Sequence, residues 1–345
     1  MVSFEESILG NLIVHKVGSR HQEDGIQFSE KPTNISGKII RDLLLNYFLS
    51  SFKEESFRHF FHDTDLDLNE VYNYARKIFE DEQSLAEQSK NLAKHLYENS
   101  DHPKIQAGEF YTVIIKNCLI EDEITDAIGI FKTENKDKFL KIEEKENNFL
   151  PNYEEGININ KLDKGCLIFN TEKENGYLLK VIDNTNKSKE AQYWTDKFLK
   201  TKVREDNYYH TSSYLSMCKT FADNELKDIE KTDRMALKND AFEYFSKNDE
   251  FNSEEFAEEV IANDEINERF KNYKESFAET HQVSVSEDFD ISGGAVKKQK
   301  RKFKSVLKLD KNFHIYVHGD RNLIKKGFDN EKNKNYYTIY FDKES

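Results

Sequence analysis

The chain has 345 residues, enough to bury a sizeable core and to divide into two domains, since single cores stop growing at roughly 250–300 residues. An aromatic content of 13% excludes a disordered chain, although 34% of the residues are charged and the formal net charge is -14. No apolar run reaches the roughly 18 residues of a membrane-spanning helix, and the first residues lack the basic segment of a signal peptide. We therefore expect a folded cytoplasmic protein without membrane contact.

The first part of the sequence predicts a strand followed by three helices. Residues 8–18 have strand character, and Asn69 is placed to cap the second helix. Ser36 is predicted to cap the first helix. The apolar residues of that first helix recur at spacings of three and four, and they are Ile39, Ile40, Leu43, Leu44, Tyr47 and Phe48. The third helix carries Leu85, Leu92, Ala93 and Leu96 on one face.

From residue 108 the pattern changes to strands. Residues 109–120 and 124–132 are β-branched, apolar runs joined by a short acidic loop, which is typical of a hairpin. Further runs at residues 138–144, 165–172 and 176–183 extend the predicted sheet. Residues 1–185 are therefore predicted to form one α+β domain.

Residues 186–345 are predicted to form a second domain that begins with helices. Ser188 opens the first helix, and helical spacing continues through Trp194, Phe198, Tyr214, Met217, Phe221, Leu226, Phe242 and Phe245. Between Asp249 and Glu268 nine residues are acidic and none is basic. Asn252 and Glu255 have the form of a capping box, so this acidic block is predicted to be a helix with an acidic outer face.

The C-terminal region is predicted to end in a small sheet. Three runs with strand periodicity, residues 301–309, 313–319 and 336–341, suggest a three-stranded antiparallel sheet. The predicted fold class is therefore α+β. It comprises an N-terminal mixed domain with an antiparallel sheet and helices, and a C-terminal helical region followed by the three-stranded sheet.

A basic run near the C-terminus is the strongest candidate for function. Residues 297–345 contain 14 basic and 6 acidic residues, a net charge of +8, so residues 1–296 carry -22. Such segregation suggests a local anion-binding element on an otherwise repelling body. The predicted phosphate contacts are Lys297, Lys298, Lys300, Arg301, Lys302, Lys304 and Lys308. As an alternative, lysines on an edge strand serve to prevent aggregation.

The order of residues in the run suggests two parts. Ser292-Gly293-Gly294 is predicted to lead into a mobile arm of residues 297–301. An amphipathic strand then places Lys302, Lys304 and Lys308 on one face. The preceding acidic helix is predicted to compete with phosphate for these cations.

The sequence contains no common nucleotide-binding, zinc-protease or serine-hydrolase motif. Asp126, Glu134 and Lys136 superficially match a metal-dependent nuclease, but they lie along one strand and its exit loop, spread over roughly 30 Å at 3.3 Å per residue. No catalytic residue, metal ligand or cofactor is therefore predicted. The three cysteines are far apart and are expected to be reduced core thiols.

Several long blocks resemble a known family. They are AIGIFKTENKDKFLKI, GININKLDKGCLIFN, AQYWTDKFL, FDISGGAVKKQ and FKSVLKLDKNFHIYVHG. They are similar to the bacterial 37 kDa nucleoid-associated protein family (NdpA/YejK-like), and the resemblance runs nearly end to end. It implies a non-enzymatic cytoplasmic protein of the bacterial nucleoid that binds DNA and touches type II topoisomerases. It identifies no DNA-contacting position.

The sequence thus predicts a nucleoid-associated DNA-binding protein that contacts phosphates of double-stranded or single-stranded DNA with little sequence readout. The alternative is a protein-interaction module that regulates a DNA enzyme such as a type II topoisomerase. A homodimer is compatible with DNA binding, because a bivalent binder gains effective concentration along a duplex. No residue pattern indicates the dimer.

Overall fold

The computed structural model describes residues 2–53, 56–120, 123–185, 193–281, 284–303, 305–309, 313–317 and 323–343. The chain forms two compact units, Met1–Arg204 and Glu205–Ser345. The predicted boundary near Asn186 and the helix start at Ser188 lie outside the described residues. Trp194 and Phe198 belong to the core of the first unit. The limits 1–185 and 186–345 for separately folding domains stay a prediction.

The first unit is built on a sheet in which every paired strand is antiparallel. The strands of the first unit are β1 (Val2–Ser3), β2 (Ile8–Val17), β3 (Ile26–Gln27), β4 (Arg58–Phe60), β5 (Gly108–Ile120), β6 (Glu123–Thr133), β7 (Asp137–Lys145), β8 (Asn148–Gly156), β9 (Lys164–Phe169), β10 (Leu178–Asp183) and β11 (Thr201–Val203). The main sheet has the order β11-β4-β10-β9-β6-β5-β2-β3, with β1 also paired to β5. The predicted hairpin of β5 and β6 is confirmed, and its acidic loop at 121–122 lies outside the described residues.

Helices cover both faces of this sheet, which explains why β5, β6 and β9 are apolar on both sides. The helices are α1 (Lys38–Leu49), α2 (Glu70–Glu80) and α3 (Leu85–Glu98). α2 and α3 lie on one face together with Trp194 and Phe198, and α1 lies on the other. The Asn69 side chain accepts a hydrogen bond from the Tyr72 N–H at 3.0 Å, so the predicted cap of α2 is confirmed.

The first helix, α1, differs from the prediction in its N-cap residue and in which of its apolar side chains are buried. Its N-cap residue is Gly37 rather than Ser36. Tyr47 and Phe48 are buried as predicted, whereas the exposed fractions are 75% for Ile39, 52% for Ile40 and 43% for Leu43. α1 is buried through its last turn, and helical spacing identifies a face but not which turns of that face meet another element.

Residues 138–144 do not extend the main sheet as predicted. β7 pairs with β8, which the sequence did not suggest, and the two form a separate ribbon. The loop residues Glu146 and Asn147 have φ values of 53° and 61°, which favours a tight two-residue hairpin turn. The nearest run in the sequence is therefore the strand partner here, and β9 takes the place beside β6.

The second unit has a helical core with many aromatic rings. Its first elements are α4 (Asn207–Thr220), α5 (Lys231–Lys247), β12 (Glu250–Asn252), α6 (Ser253–Phe256), α7 (Asp264–His281), β13 (Asp288–Asp290) and α8 (Gly293–Gln299). The Tyr214 ring lies 4.2–6.3 Å from the ring centroids of Phe245, Phe251, Phe256, Phe270 and Phe289. The predicted cap at Asn252 is confirmed, since its side chain accepts from the N–H groups of Glu254 and Glu255 at 3.0 Å.

The C-terminal strands form two ribbons within the described residues, instead of the predicted three-stranded sheet. β14 (Ser305–Leu309) pairs with β15 (Phe313–Val317), and β16 (Ile324–Asp329) pairs with β17 (Lys334–Ile339). β16 contains Lys325-Lys326-Gly327 and lacks an alternating apolar pattern, so the sequence did not predict it. The α+β class is confirmed. None of the helices seen in the described ranges has the length and apolarity to cross a membrane.

Candidate nucleic-acid interface

The basic run begins in a helix and not in a mobile arm. The Ser292 hydroxyl accepts a hydrogen bond from the Ala295 N–H at 3.4 Å and caps α8. A 3₁₀ turn, Lys300–Phe303, continues α8. The Ser-Gly-Gly sequence resembles a linker, but serine is also a favoured N-cap residue, and in this structure Ser292 caps a helix. The predicted mobility of residues 297–301 is therefore wrong.

Packing fixes one side of this helical segment against the second unit. Ala295, Val296 and Gln299 are buried. The Gln299 amide donates to the carbonyl of Ser212 at 3.4 Å and to the hydroxyl of Ser216 at 3.3 Å, both on α4. The last residue of the 3₁₀ turn is also buried, with its ring centroid 5.3 Å from the Phe242 ring on α5. The orientation of α8 is thus set by the core.

The lysines of α8 and of its 3₁₀ turn are exposed to solvent. Lys297, Lys298, Lys300 and Lys302 are all exposed. The first two lie in the last turn of α8, where positive charge is favoured by the helix dipole. Lys297 and Lys300 also line a cleft of about 350 Å³ at the junction with α5. An ordered element therefore presents these cations to solvent together.

The remaining predicted contacts are placed less closely. The backbone of Arg301 lies in the 3₁₀ turn, its side chain is outside the described part of the chain, and Lys304 is outside it altogether. Lys308 lies on β14, where the register pairs it with His314. Because β14 begins at Ser305, Lys302 does not share a strand face with Lys308, and that prediction is wrong.

The ribbon of β16 and β17 adds a second basic and aromatic surface that sequence reasoning missed. The exposed fraction is 51% for Phe328, 51% for Tyr336 and 50% for Tyr340. The Lys325 ammonium lies 5.7 Å from the centroid of the Tyr340 ring. Strand pairing brings Lys325, Tyr336 and Tyr340 to one face of the ribbon, which their separation in the sequence did not indicate. Lys326 and Phe328 lie on the opposite face.

The acidic block lies close to the lysines at one point. Asp249 lines the same cleft as Lys297 and Lys300. Glu254, Glu255, Glu258 and Glu259 are exposed on α6 and the π-helical turn Ala257–Ile261. Competition between this block and phosphate stays a prediction.

The residues of the rejected nuclease pattern are held by separate partners. The Asp126 carboxylate accepts from the Lys116 ammonium at 2.8 Å, and the Lys136 ammonium donates to Glu109 at 2.6 Å. Glu134 is buried and accepts from Lys132 at 3.0 Å. Across the described ranges, no three His, Cys, Asp or Glu side chains are grouped to hold a metal ion. These contacts stabilise the first unit and do not converge on a reaction centre.

The buried Lys132 beside Glu134 also has several hydrogen-bond partners within the first unit. The Lys132 ammonium also donates to the Gln106 carbonyl at 2.8 Å, and the Tyr193 hydroxyl donates to Glu134 at 2.9 Å. Burial lowers the pKa of Lys132, while Glu134 opposes that effect. The cluster is a hydrogen-bonded ion pair at the edge of the core, where removing either partner leaves a buried charge.

Fold and surface together define an acidic α+β protein of two units, with basic and aromatic residues gathered in its C-terminal part. The chain belongs to the family NA37, nucleoid-associated protein YejK, whose family model matches residues 13–340. The resemblance seen in the sequence blocks is thereby confirmed over nearly the whole chain. A search of the curated proteins finds no match.

Proposed function

We propose that the protein binds DNA through its phosphates, with little readout of base sequence, and that the exposed lysines of α8 and its 3₁₀ turn make the principal contact. The observation that carries this proposal is the docking of α8, which together with its 3₁₀ turn carries four exposed lysines. Membership of a nucleoid-associated family supports it. We place this function in the nucleoid, in the bacterial cytoplasm, and assign no enzymatic step.

The distribution of charge supports a local contact. Residues 1–296 carry -22, so most of the chain repels a polyanion and any contact falls to the C-terminal segment with its net +8. Lysine contacts to phosphate release condensed counterions, so the binding constant falls steeply with salt. Phosphate contacts set the position of a protein on DNA and carry no sequence information.

The exposed rings of β16 and β17 extend the proposal to unpaired bases. Aromatic side chains beside lysines stack on bases without regard to their identity. Tyr336 and Tyr340 offer such rings on one face of the ribbon, and Lys325 lies beside Tyr340. We therefore assign duplex contact to the lysines of α8 and additional single-strand contact to this ribbon.

A salt series tests the principal contact. The triple variant Lys297→Ala, Lys300→Ala, Lys302→Ala should bind duplex DNA more weakly, and the slope of log affinity against log salt should fall by about 2–3, since each phosphate contact contributes about 0.9. The affinity is measured by fluorescence anisotropy on a labelled duplex.

The matched control removes three exposed lysines from the first unit, with Lys31→Ala, Lys38→Ala and Lys53→Ala. It changes the net charge equally and should leave the slope nearly unchanged. Equal loss in both variants would show that overall charge, and not the α8 surface, governs binding.

A second candidate function rests on the exposed side of α1. Ile39, Ile40 and Leu43 present an apolar helix face in the first unit. This favours the alternative of an interaction module for a DNA enzyme such as a type II topoisomerase. If the purified protein fails to bind DNA at low salt, that alternative leads, and Ile39→Ser with Leu43→Ser should then weaken binding to the purified topoisomerase.

A homodimer would strengthen either function. Two linked DNA-binding surfaces convert the second contact into an intramolecular one and raise its effective concentration. We therefore treat a homodimer as compatible with both proposed functions.

A further inference from the structure

The ribbon of β7 and β8 is exposed along nearly its whole length. Within the described residues these two strands pair only with each other. The exposed fraction is 81% for Leu140, 61% for Ile142, 72% for Phe149 and 60% for Tyr153. An isolated two-stranded ribbon is marginally stable in water, and an apolar face toward solvent is typical of a surface that binds another chain.

The turn determines which backbone groups point outward. In a two-residue hairpin with positive φ at both loop residues, the pair that closes the turn exchanges two hydrogen bonds. Here that pair is Lys145 and Asn148. Hydrogen-bonded and non-hydrogen-bonded pairs alternate along an antiparallel ladder, so Ile142 and Pro151 form a non-hydrogen-bonded pair. The N–H groups that face away from β8 are those of Lys138, Leu140, Ile142 and Glu144.

The two outer edges of the ribbon differ. On β8, Pro151 has no N–H, and the outward N–H of Tyr153 donates to the side chain of Asn152 at 2.8 Å. The centre of this edge is therefore closed to another strand. On β7, none of the four outward N–H groups has an acceptor among the described residues. The β7 edge is the one that remains able to pair.

We infer that a second copy of this chain pairs with the β7 edge in an antiparallel arrangement, with the two-fold axis at Lys141. Full overlap of the strand places Lys138 opposite the partner's Glu144 and Asp137 opposite the partner's Lys145. Leu140 then lies opposite the partner's Ile142. Unlike charges and apolar residues at directly opposed positions stabilise a sheet.

Registers shifted by two residues pair fewer strand positions. A shift of two residues in one direction places Asp137 opposite the partner's Glu143, which are like charges. A shift in the other direction leaves Asp137 and Lys138 with no strand residue opposite them. In the full-overlap register the two Lys141 side chains meet at the axis. Each is balanced on its own ribbon by Glu143 at 3.2 Å and Glu154 at 2.8 Å.

Oxidative cross-linking of the full chain tests the position of the axis. A non-hydrogen-bonded pair brings two Cα atoms to about 4.5 Å, within the range of a disulfide. Lys141→Cys should therefore form a covalent dimer on non-reducing gels. Asn152→Cys is the matched control, because residue 152 is the neighbour of residue 141 on β8 and lies beside the closed edge. The native cysteines are buried.

The expected result is a cross-linked fraction for Lys141→Cys several times that for Asn152→Cys. Equal cross-linking of the two variants, or none for Lys141→Cys, overturns the proposed pairing.

Charge exchange tests the register by an independent measurement. Lys138→Glu alone places a glutamate opposite the partner's Glu144 at each of two symmetric positions. This repulsion should raise the dimer dissociation constant roughly tenfold in sedimentation equilibrium. Adding Glu144→Lys restores unlike charges and should return the constant close to the wild-type value. A monomeric wild-type protein, an unchanged constant, or a double variant as weak as the single one overturns the proposal. Neither experiment involves DNA, so failure of the DNA-binding proposal would be seen separately.

Discussion

At the level of single residues, the buried histidine His15 has specific hydrogen-bond partners. His15 is 2% exposed. Its Nδ1 accepts from the Ser29 N–H at 3.1 Å, and its Nε2 lies 3.0 Å from the Ser89 hydroxyl oxygen. Because that hydroxyl donates to the Ala86 carbonyl at 2.9 Å, the Nε2–H of a neutral imidazole donates to Ser89. Protonation of Nδ1 would break the contact with Ser29.

This arrangement predicts a dependence of stability on pH. Burial lowers the pKa of His15 to about 4, and the nearby Lys90 charge contributes. The unfolded chain binds this proton near pH 6.5 and the folded protein only near pH 4, so the free energy of unfolding should fall as the pH drops through this window. The contribution is roughly 1–3 kcal/mol, since one pKa unit corresponds to about 1.4 kcal/mol.

Urea unfolding at several pH values measures this effect. His15→Gln should flatten the stability profile between pH 6.5 and 4, while His21→Gln, at an exposed position, should leave it as in the wild type. A wild-type slope in the His15 variant would exclude this residue as the cause.

At the level of elements, the start of α2 joins three parts of the first unit. The Asn69 amide donates to the carbonyls of Phe61 at 3.0 Å, Leu199 at 3.0 Å and Lys200 at 3.1 Å. Its oxygen accepts from the Tyr72 N–H. One buried side chain therefore caps the helix and donates hydrogen bonds to backbone carbonyls of the segments that follow β4 and precede β11.

Asn69→Ala should destabilise the protein by about 2–4 kcal/mol, which combines the loss of a cap with carbonyl groups left without a donor. Asp206→Ala is the control, because Asp206 caps α4 through one hydrogen bond to the Tyr209 N–H at 2.9 Å and should cost about 1 kcal/mol. Denaturant midpoints measure both. Equal losses would mean that the carbonyl contacts of Asn69 add nothing beyond the cap.

At the level of the whole molecule, charge is segregated along the chain, with +8 in residues 297–345 and -22 before them. Part of the negative charge lies in the same unit as the lysines of α8, and Asp249 shares their cleft. Like-signed charges on protein and DNA weaken binding over about 8–10 Å at physiological salt. We therefore expect the acidic block to oppose DNA binding locally.

Changing Glu254, Glu255, Glu258 and Glu259 to Gln should tighten duplex binding roughly two- to tenfold at low ionic strength, with a smaller effect at high salt. The matched control changes four exposed glutamates of the first unit, Glu5, Glu6, Glu23 and Glu87, to Gln. If both variants tighten binding equally, net charge alone is responsible. If neither does, the proposed competition by the acidic block is excluded.

Local chemistry in the sequence was sufficient for several features. The Asn69 and Asn252 caps, the β5–β6 hairpin and the apolar face of α3 follow from side-chain type and spacing, and the structure contains them. The basic run and the family blocks are also properties of the sequence alone. These features depend on interactions between residues close in the chain, which is why they were predictable.

The tertiary structure decided which surfaces meet. Periodicity placed Leu43 and Tyr47 on one helix face, but only packing determined that the first is exposed and the second buried. The run at 297–303 became a helix because Gln299 and Phe303 dock on α4 and α5, contacts more than fifty residues away in the chain. β7 was recognisable as a strand, yet its partner was not. Burial and strand pairing arise from contacts distant in sequence, whereas capping, periodicity and charge are written locally.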